Sequence, residues 1–164
     1  MQFRFCPVCG HELIERMEDQ RVRQVCPGCG FIFYQNPAPA AGVILPRNGK
    51  ILLVKRKFDP KAGLWSLPAG FVEYDESPAE TAVRETKEET GLDIQIDRLL
   101  NVYGACDDPR THVVLVVYVG HIVGGSLVPG DDAIEATFFP KDALPEDIAF
   151  SSHRKALKQF IKNL

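Results

Sequence analysis

The stretch Gly70–Leu92, GFVEYDESPAETAVRETKEETGL, constrains this chain more than any other. Seven acidic side chains (Glu73, Asp75, Glu76, Glu80, Glu85, Glu88, Glu89) face two basic ones, Arg84 and Lys87, so the local charge is −5 in a chain whose total is −3. Its punctuation predicts a helix. Ser77-Pro78-Ala79-Glu80 combines a serine N-cap, a proline at the first helical position and a glutamate placed for a capping box. Gly91 suits the left-handed position that ends a helix. In that register Ala79, Ala82, Val83, Thr86 and Thr90 line one weakly apolar side that a sheet would cover. Glu85, Glu88 and Glu89 fall within about 100° of one another. Like charges four residues apart cost a bare helix roughly 0.2–0.5 kcal/mol per pair, and a bound divalent cation is the simplest compensation. Glu80, Arg84 and Glu88 are spaced for favourable pairs that would hold Arg84.

The cysteines supply a second constraint. Cys6, Cys9, Cys26 and Cys29 form two Cys-Pro-x-Cys-Gly knuckles, a spacing that predicts a metal site rather than a disulfide framework. Four thiolates around Zn²⁺ close a tetrahedral shell and leave no position for substrate, so the expected zinc is structural. His11 is a further donor beside the first knuckle, but the shell is already full. Cys106 is left over as an ordinary thiol. Residues 1–35 therefore read as a zinc ribbon too poor in apolar side chains to fold without its metal. Its four arginines balance its four acids, so the basic footprint of a nucleic-acid-binding module is missing and nucleic acid is not an expected partner. Phe3, Phe5, Phe31 and Phe33 alternate as the packed face of short strands would.

Tyr34–Pro39 is a proline-stiffened connector, and 36–164 reads as one further domain. Two strand-like runs, AAGVIL and KILLVKRK, flank Asn48-Gly49, a hairpin signal. After the acidic helix, residues 94–104 form a strand, Val113–Val119 a strand buried on both faces, and Glu135–Phe139 a short strand stopped by Pro140. The last helix, about 152–163, gathers Ala156, Leu157, Phe160, Ile161 and Leu164 on one side. Strands and helices intermingle without a βαβ repeat, which predicts an α/β fold with a mixed sheet between helices. No apolar run reaches the ~18–20 residues a membrane span needs, and MQFRFCPVCG lacks a secretory apolar core. A cytoplasmic protein without a membrane partner is the expectation.

The pattern Gly70-x5-Glu76-x7-Arg84-Glu85-x2-Glu88-Glu89-x-Gly91-Leu92 resembles the Nudix box, departing from it at Thr86, where the family places an aliphatic residue. The cysteine ribbon, the YQNP connector, GLWSLPAGFVE and AFSS extend the resemblance over almost the whole chain, toward the zinc-ribbon group of Nudix hydrolases. The resemblance implies an α/β/α sandwich and hydrolysis, with Mg²⁺ or Mn²⁺, of a nucleoside diphosphate joined to another group. It implies Glu85, Glu89 and the Ala69 carbonyl as metal ligands, with Glu88 as a further one, directly or through water. Glu135 would be an acidic residue contributed from outside the box, Arg84 would orient Glu85, and Glu76 would lie nearby with a lesser role. Carboxylates of this kind hold the hard cations that neutralise a diphosphate and activate water. Glu88 and Glu135 are both open as the base that takes the water's proton.

Arg56 is suited to a substrate phosphate, and Trp65, Phe71, Tyr74 and Tyr103 to stacking on a base. Where the NADH pyrophosphatases of the group carry a proline- and tryptophan-rich segment, this chain has Asn101–Cys106, which favours ADP-ribose or FAD over NADH or NAD. A Nudix-fold module that binds such a ligand without cutting it is the alternative, against which the complete set of box glutamates argues. Homodimers occur among relatives of this kind.

Overall fold

The computed structural model describes residues 3–130 and 132–164; Met1 and Gln2, at the start of the expected ribbon, and Asp131 lie outside them. Contacts divide the chain into two units, Met1–Pro37 and Ala38–Leu164.

In the first unit, β1 (Ile14–Glu18) and β2 (Arg21–Val25) pair antiparallel, and β3 (Ile32–Phe33) adds to β2. The two knuckles are built alike. Gly10 and Gly30 lie at φ 77° and 78° and return their N–H groups to the carbonyls of Cys6 and Cys26, a turn that a residue without Cβ makes at little cost. What little core exists is Cys6, Leu13 and Cys26 with Phe31 against them. Phe3 and Phe33 meet edge to face at 4.8 Å and Phe31 packs on the core, but Phe5 is exposed, so the alternating phenylalanines form the expected packed face only in part.

The second unit runs β4 (Ala38–Ile44), β5 (Pro46–Arg47), β6 (Lys50–Arg56), β7 (Trp65–Ser66), β8 (Ala69–Phe71), α1 (Pro78–Thr90), β9 (Leu92–Asp108), β10 (Thr111–Gly125), β11 (Ala133–Pro140) and α2 (Ser151–Lys162). One sheet has the order β8-β4-β10-β9, parallel only between β4 and β10. The other has β11-β6-β5, with β7 on β6. Along β4 and β6 the side chains alternate between two cores. Ala40, Ile44, Ile51 and Leu53 join Ala156, Leu157 and Phe160 of α2. Ala41, Val43, Leu52 and Val54 join Ala82 of α1. Burial on both faces is why these strands read as unbroken apolar runs. Leu53 is fully buried, and Leu53→Ala lowers the unfolding free energy by about 2–5 kcal/mol in urea titrations.

One expectation is corrected here. The Asn48-Gly49 turn forms, with φ 51° and 74°, yet it closes only β5 onto the start of β6. The runs AAGVIL and KILLVKRK do not form one hairpin ladder, because both edges of β4 are already taken, by β8 and β10. The chain changes sheet after Leu45 instead.

The helix α1 is capped as its sequence predicts. The Glu80 N–H donates to Ser77 Oγ at 3.3 Å, and the Ser77 N–H donates to Glu80 Oε2 at 2.7 Å; Gly91 ends the helix at φ 72°. Glu80 is thereby engaged in the cap rather than in the expected pair with Arg84. The buried side also differs from expectation. It is Thr81, Ala82, Thr86 and Thr90 with Glu89, while Val83 is exposed. Threonine serves in a core here because Thr86 and Thr90 return their hydroxyls to the carbonyls of Ala82 and Thr86. The helix end is held from outside, where the Val128 and Gly130 N–H groups donate to the carbonyls of Thr90 and Glu89. Ala156, Leu157 and Phe160 of α2 are buried, whereas Leu164 lies beyond the end of the helix and is exposed.

Candidate active site

Arg84 organises the carboxylates of α1. Its Nε and Nη2 donate to the two oxygens of Glu76 at 3.0 and 2.6 Å. Its Nη1 donates to Glu85 Oε1 at 2.8 Å and Glu88 Oε2 at 3.0 Å, and Nη2 also reaches the Phe71 carbonyl at 3.2 Å. Five bonds match the five N–H donors of a guanidinium. Arg84 thus has all its donors engaged by acceptors of the protein itself. Glu76, ranked last by sequence, is its main partner. The two bonds from Arg84 and those from the Glu73 N–H and the Thr81 hydroxyl hold the Glu76 carboxyl down at about 2.

Gly70 explains how Glu85 reaches the backbone of β8. A Cβ at Gly70 would stand 2.0 Å from Glu85 Oε1. That atom is the end of a flexible side chain, so Gly70→Ala leaves the fold nearly as stable, within about 1 kcal/mol. It displaces the Glu85 carboxylate, and turnover falls by about a hundredfold; thermal unfolding and initial rates on one preparation check both halves.

Glu89 is buried, and its Oε2 accepts the Ala69 N–H at 3.1 Å. Burial pushes its carboxyl up to about 8; the Ala69 N–H and Arg56 oppose this, and the charges of Glu85 and Asp132 add to it. Burial likewise raises Glu85 against the pull of Arg84. Glu85 is half-buried and close enough for its charge to act on the buried Glu89, and two such carboxylates offer the hard-oxygen donor chemistry of a divalent cation such as Mg²⁺ or Mn²⁺.

Glu135 is exposed on β11 opposite Lys55, and among the described residues outside α1 and β8 Arg56 and Asp132 act on Glu89 through their charges. Nothing in the local sequence distinguishes Asp132; the Lys57 N–H holds its carbonyl at 3.0 Å, across from the end of β6.

A cavity of about 420 Å³ opens beside the start of the box. Ala69, Gly70 and Phe71 form one wall, Arg56 and Phe150 another, and Asp107, Arg110, Ser152 and His153 reach it from β9, the β9–β10 turn and α2. Arg56 is half-buried, its guanidinium 5.1 Å from the Phe150 ring centroid. Two of the four aromatics expected to stack on substrate, Trp65 and Tyr103, are placed elsewhere. Trp65 is in the core, edge-on to Phe139 at 4.7 Å, and Tyr103 donates its hydroxyl to Gln159 at 2.8 Å. Neither lines the cavity; Phe71 does.

In the ribbon, the four cysteine sulfurs lie within 4.8 Å of one another, with Cys6 and Cys26 buried and Cys9 and Cys29 exposed. That tetrad fits Zn²⁺. His11 Nδ1 stands 3.4 Å from Cys9 Sγ, the distance of a partner to the sulfur. Cys106 is free and exposed. Among the described residues no helix is long and apolar enough to cross a membrane.

Comparisons with known proteins agree with this division. A NUDIX domain model matches residues 36–160, and a Nudix N-terminal zinc-ribbon model matches 4–35. The chain is 46% identical over 130 residues to an ADP-ribose pyrophosphatase of Methanocaldococcus jannaschii, covering 79% of this chain and 76% of the relative. It is 36% identical over 144 residues to the NAD-capped RNA hydrolase NudC of Pseudomonas aeruginosa, covering 87% of this chain but only 49% of that protein. A crystal structure of a NUDIX hydrolase from Nitrosomonas europaea superposes with a TM-score of 0.87 at 34% identity, over 98% of this chain and 92% of that one. With a NUDIX domain model over residues 36–160, a Nudix N-terminal model over 4–35 and relatives matched along most of its length, the chain belongs to the Nudix hydrolase family.

Proposed function

We propose that the protein hydrolyses the pyrophosphate bond of a nucleoside diphosphate derivative, with ADP-ribose the favoured substrate and FAD the next. The observation that carries the reading is the cavity that shares Ala69 and Gly70 with the carboxylate site and has Arg56 in its wall. A substrate filling that cavity would present its diphosphate beside Glu85 and Glu89. The name of the Methanocaldococcus relative points the same way.

Glu85, Glu89 and the Ala69 carbonyl would hold the divalent cation, with Glu88 at the exposed edge of the set. The cation would supply charge neutralisation on the diphosphate and a water of lowered pKa. Arg84 keeps Glu85 and Glu88 in place and, through Glu76, is itself kept in place. Arg56, already stripped of much of its water, would meet a phosphate as a bidentate partner. The Ala69 N–H orients Glu89. Glu88 and Glu135, both exposed, are the candidates to accept the attacking water's proton.

The test is a panel of ADP-ribose, FAD, NADH, NAD and an NAD-capped RNA, each with Mg²⁺ and with Mn²⁺, with products identified. AMP and ribose 5-phosphate as the dominant products support the reading. Turnover confined to NADH or capped RNA moves the assignment to the activity named for the Pseudomonas relative, and no turnover of any of them leaves a ligand-binding module.

A further inference from the structure

The cavity contains a polar set that the hydrolytic site does not use. His153, on the first turn of α2, is buried, and its Nδ1 accepts the Leu67 N–H at 3.1 Å. A ring nitrogen that accepts has no proton, so the neutral imidazole carries its hydrogen on Nε2. Among the described residues Nε2 has no partner, and Arg23 Nε is the sole sealed side-chain polar atom without one, so Nε2 is not sealed off. His153 lines the cavity, so its Nε2–H is a donor open to whatever fills it.

Asp107, at the far end of β9, is the complementary group. Its Oδ2 accepts both the N–H and the hydroxyl of Ser151, at 3.1 and 2.9 Å, which anchors the carboxylate at the α2 N-terminus. Oδ1 has no partner among the described residues, and Asp107 also lines the cavity. A donor and an acceptor that both line the cavity match a pair of hydroxyls, each of which both gives and takes a hydrogen bond. They do not match a phosphate, which needs donors only. The phosphate-binding group of the cavity is Arg56.

We propose that His153 and Asp107 select the vicinal diol of a substrate pentose, with His153 as donor and Asp107 as acceptor. This rests on the hydrolase reading for what occupies the cavity. Burial and the neighbouring Arg56 push the imidazole down to about 3. Both effects favour the neutral imidazole, the form whose Nδ1 can accept the Leu67 N–H.

ADP-ribose has two such diols, and the experiment separates them. Wild type, His153→Met and His153→Gln are compared on ADP-ribose, on its analogue lacking the adenosine 2′,3′-hydroxyls, and on its analogue lacking the terminal-sugar 2,3-hydroxyls. Calorimetric binding and kcat/KM are both recorded. Gln keeps an acceptor for the Leu67 N–H and a donor for the cavity, and Met keeps the volume alone. Wild type is expected to bind one dideoxy analogue at least about tenfold more weakly than ADP-ribose. His153→Met should lose about tenfold on ADP-ribose, mostly in KM, yet nothing further on that same analogue, and His153→Gln should recover most of the loss. Equal losses on all three ligands would make His153 a structural residue and overturn the proposal. So would a wild type indifferent to both diols, a result that stands even if His153→Met fails to fold. Diol-dependent binding without turnover would sink the hydrolase reading and leave this inference standing; turnover without diol dependence would do the reverse.

Discussion

Glu89→Gln is expected to lower turnover of the preferred substrate by about a hundred- to a thousandfold while leaving the cation-free protein at least as stable as wild type. The two halves have one cause. Glu89 sits in the floor of the site, 8% exposed, with the Ala69 N–H on one oxygen and the charges of Glu85 and Asp132 close by. A glutamine oxygen keeps the Ala69 bond but brings no negative charge. It therefore relieves the cost of burying an anion beside others and removes what a cation needs. The pH dependence separates this from simple repacking. With a folded pKa of about 8 against about 4.3 when unfolded, the unfolded chain gives up this proton first. The contribution of Glu89 is full below about 4.3 and is lost as pH rises to about 8. In cation-free buffer the stability of Glu89→Gln relative to wild type should thus grow across that window. Paired urea titrations at several pH values measure it, and a constant difference would contradict the buried-carboxylate account.

The second large effect is in the ribbon. Stripping its metal, or changing Cys26 to serine, is expected to unfold Met1–Pro37 and leave Ala38–Leu164 folded. The ribbon core is two cysteines and a leucine with one phenylalanine against them, far short of what ordering some thirty-five residues requires. Metal binding supplies roughly 10–16 kcal/mol in small zinc modules, and here that would be the folding free energy of the unit. The larger unit has its own two cores and owes nothing to the cysteines. Hydrogen exchange read by mass spectrometry, before and after a strong chelator, resolves the two units. Full exchange in the ribbon with protection intact from β4 to α2 is the expected outcome, with one zinc released per chain.

Local interactions were legible wherever a few neighbouring residues settle them. The capping box, the Gly91 stop, the two knuckles, the Asn48-Gly49 turn and the apolar runs of the buried strands all follow from short-range chemistry. The family followed from the spacing of Gly70, Glu76, Arg84, Glu85, Glu88, Glu89 and Gly91. Pairing was not legible. Whether β4 meets β6 depends on β8 and β10 competing for its edges, and those lie far away in sequence. Val83 looked like core and is exposed, because two threonines could satisfy their hydroxyls within the helix and take the buried side. Trp65 and Tyr103 looked like stacking platforms. An aromatic ring gains as much by filling a core as by meeting a ligand, and composition cannot tell the two apart.

For Gly70–Leu92 itself, sequence alone established a capped helix with an excess of carboxylates that calls for positive charge. Tertiary structure decided how that charge is shared. Arg84 is fully spent on Glu76, Glu85, Glu88 and a backbone carbonyl. Glu89, one residue along from Glu88, is driven toward its neutral form because the fold buries it and leaves Glu88 in water. The same tertiary contacts brought Arg56, Asp107, Asp132 and His153 to the site from four separate segments. Burial and long-range proximity set the electrostatics of each group, and neither is written in the spacing of its neighbours.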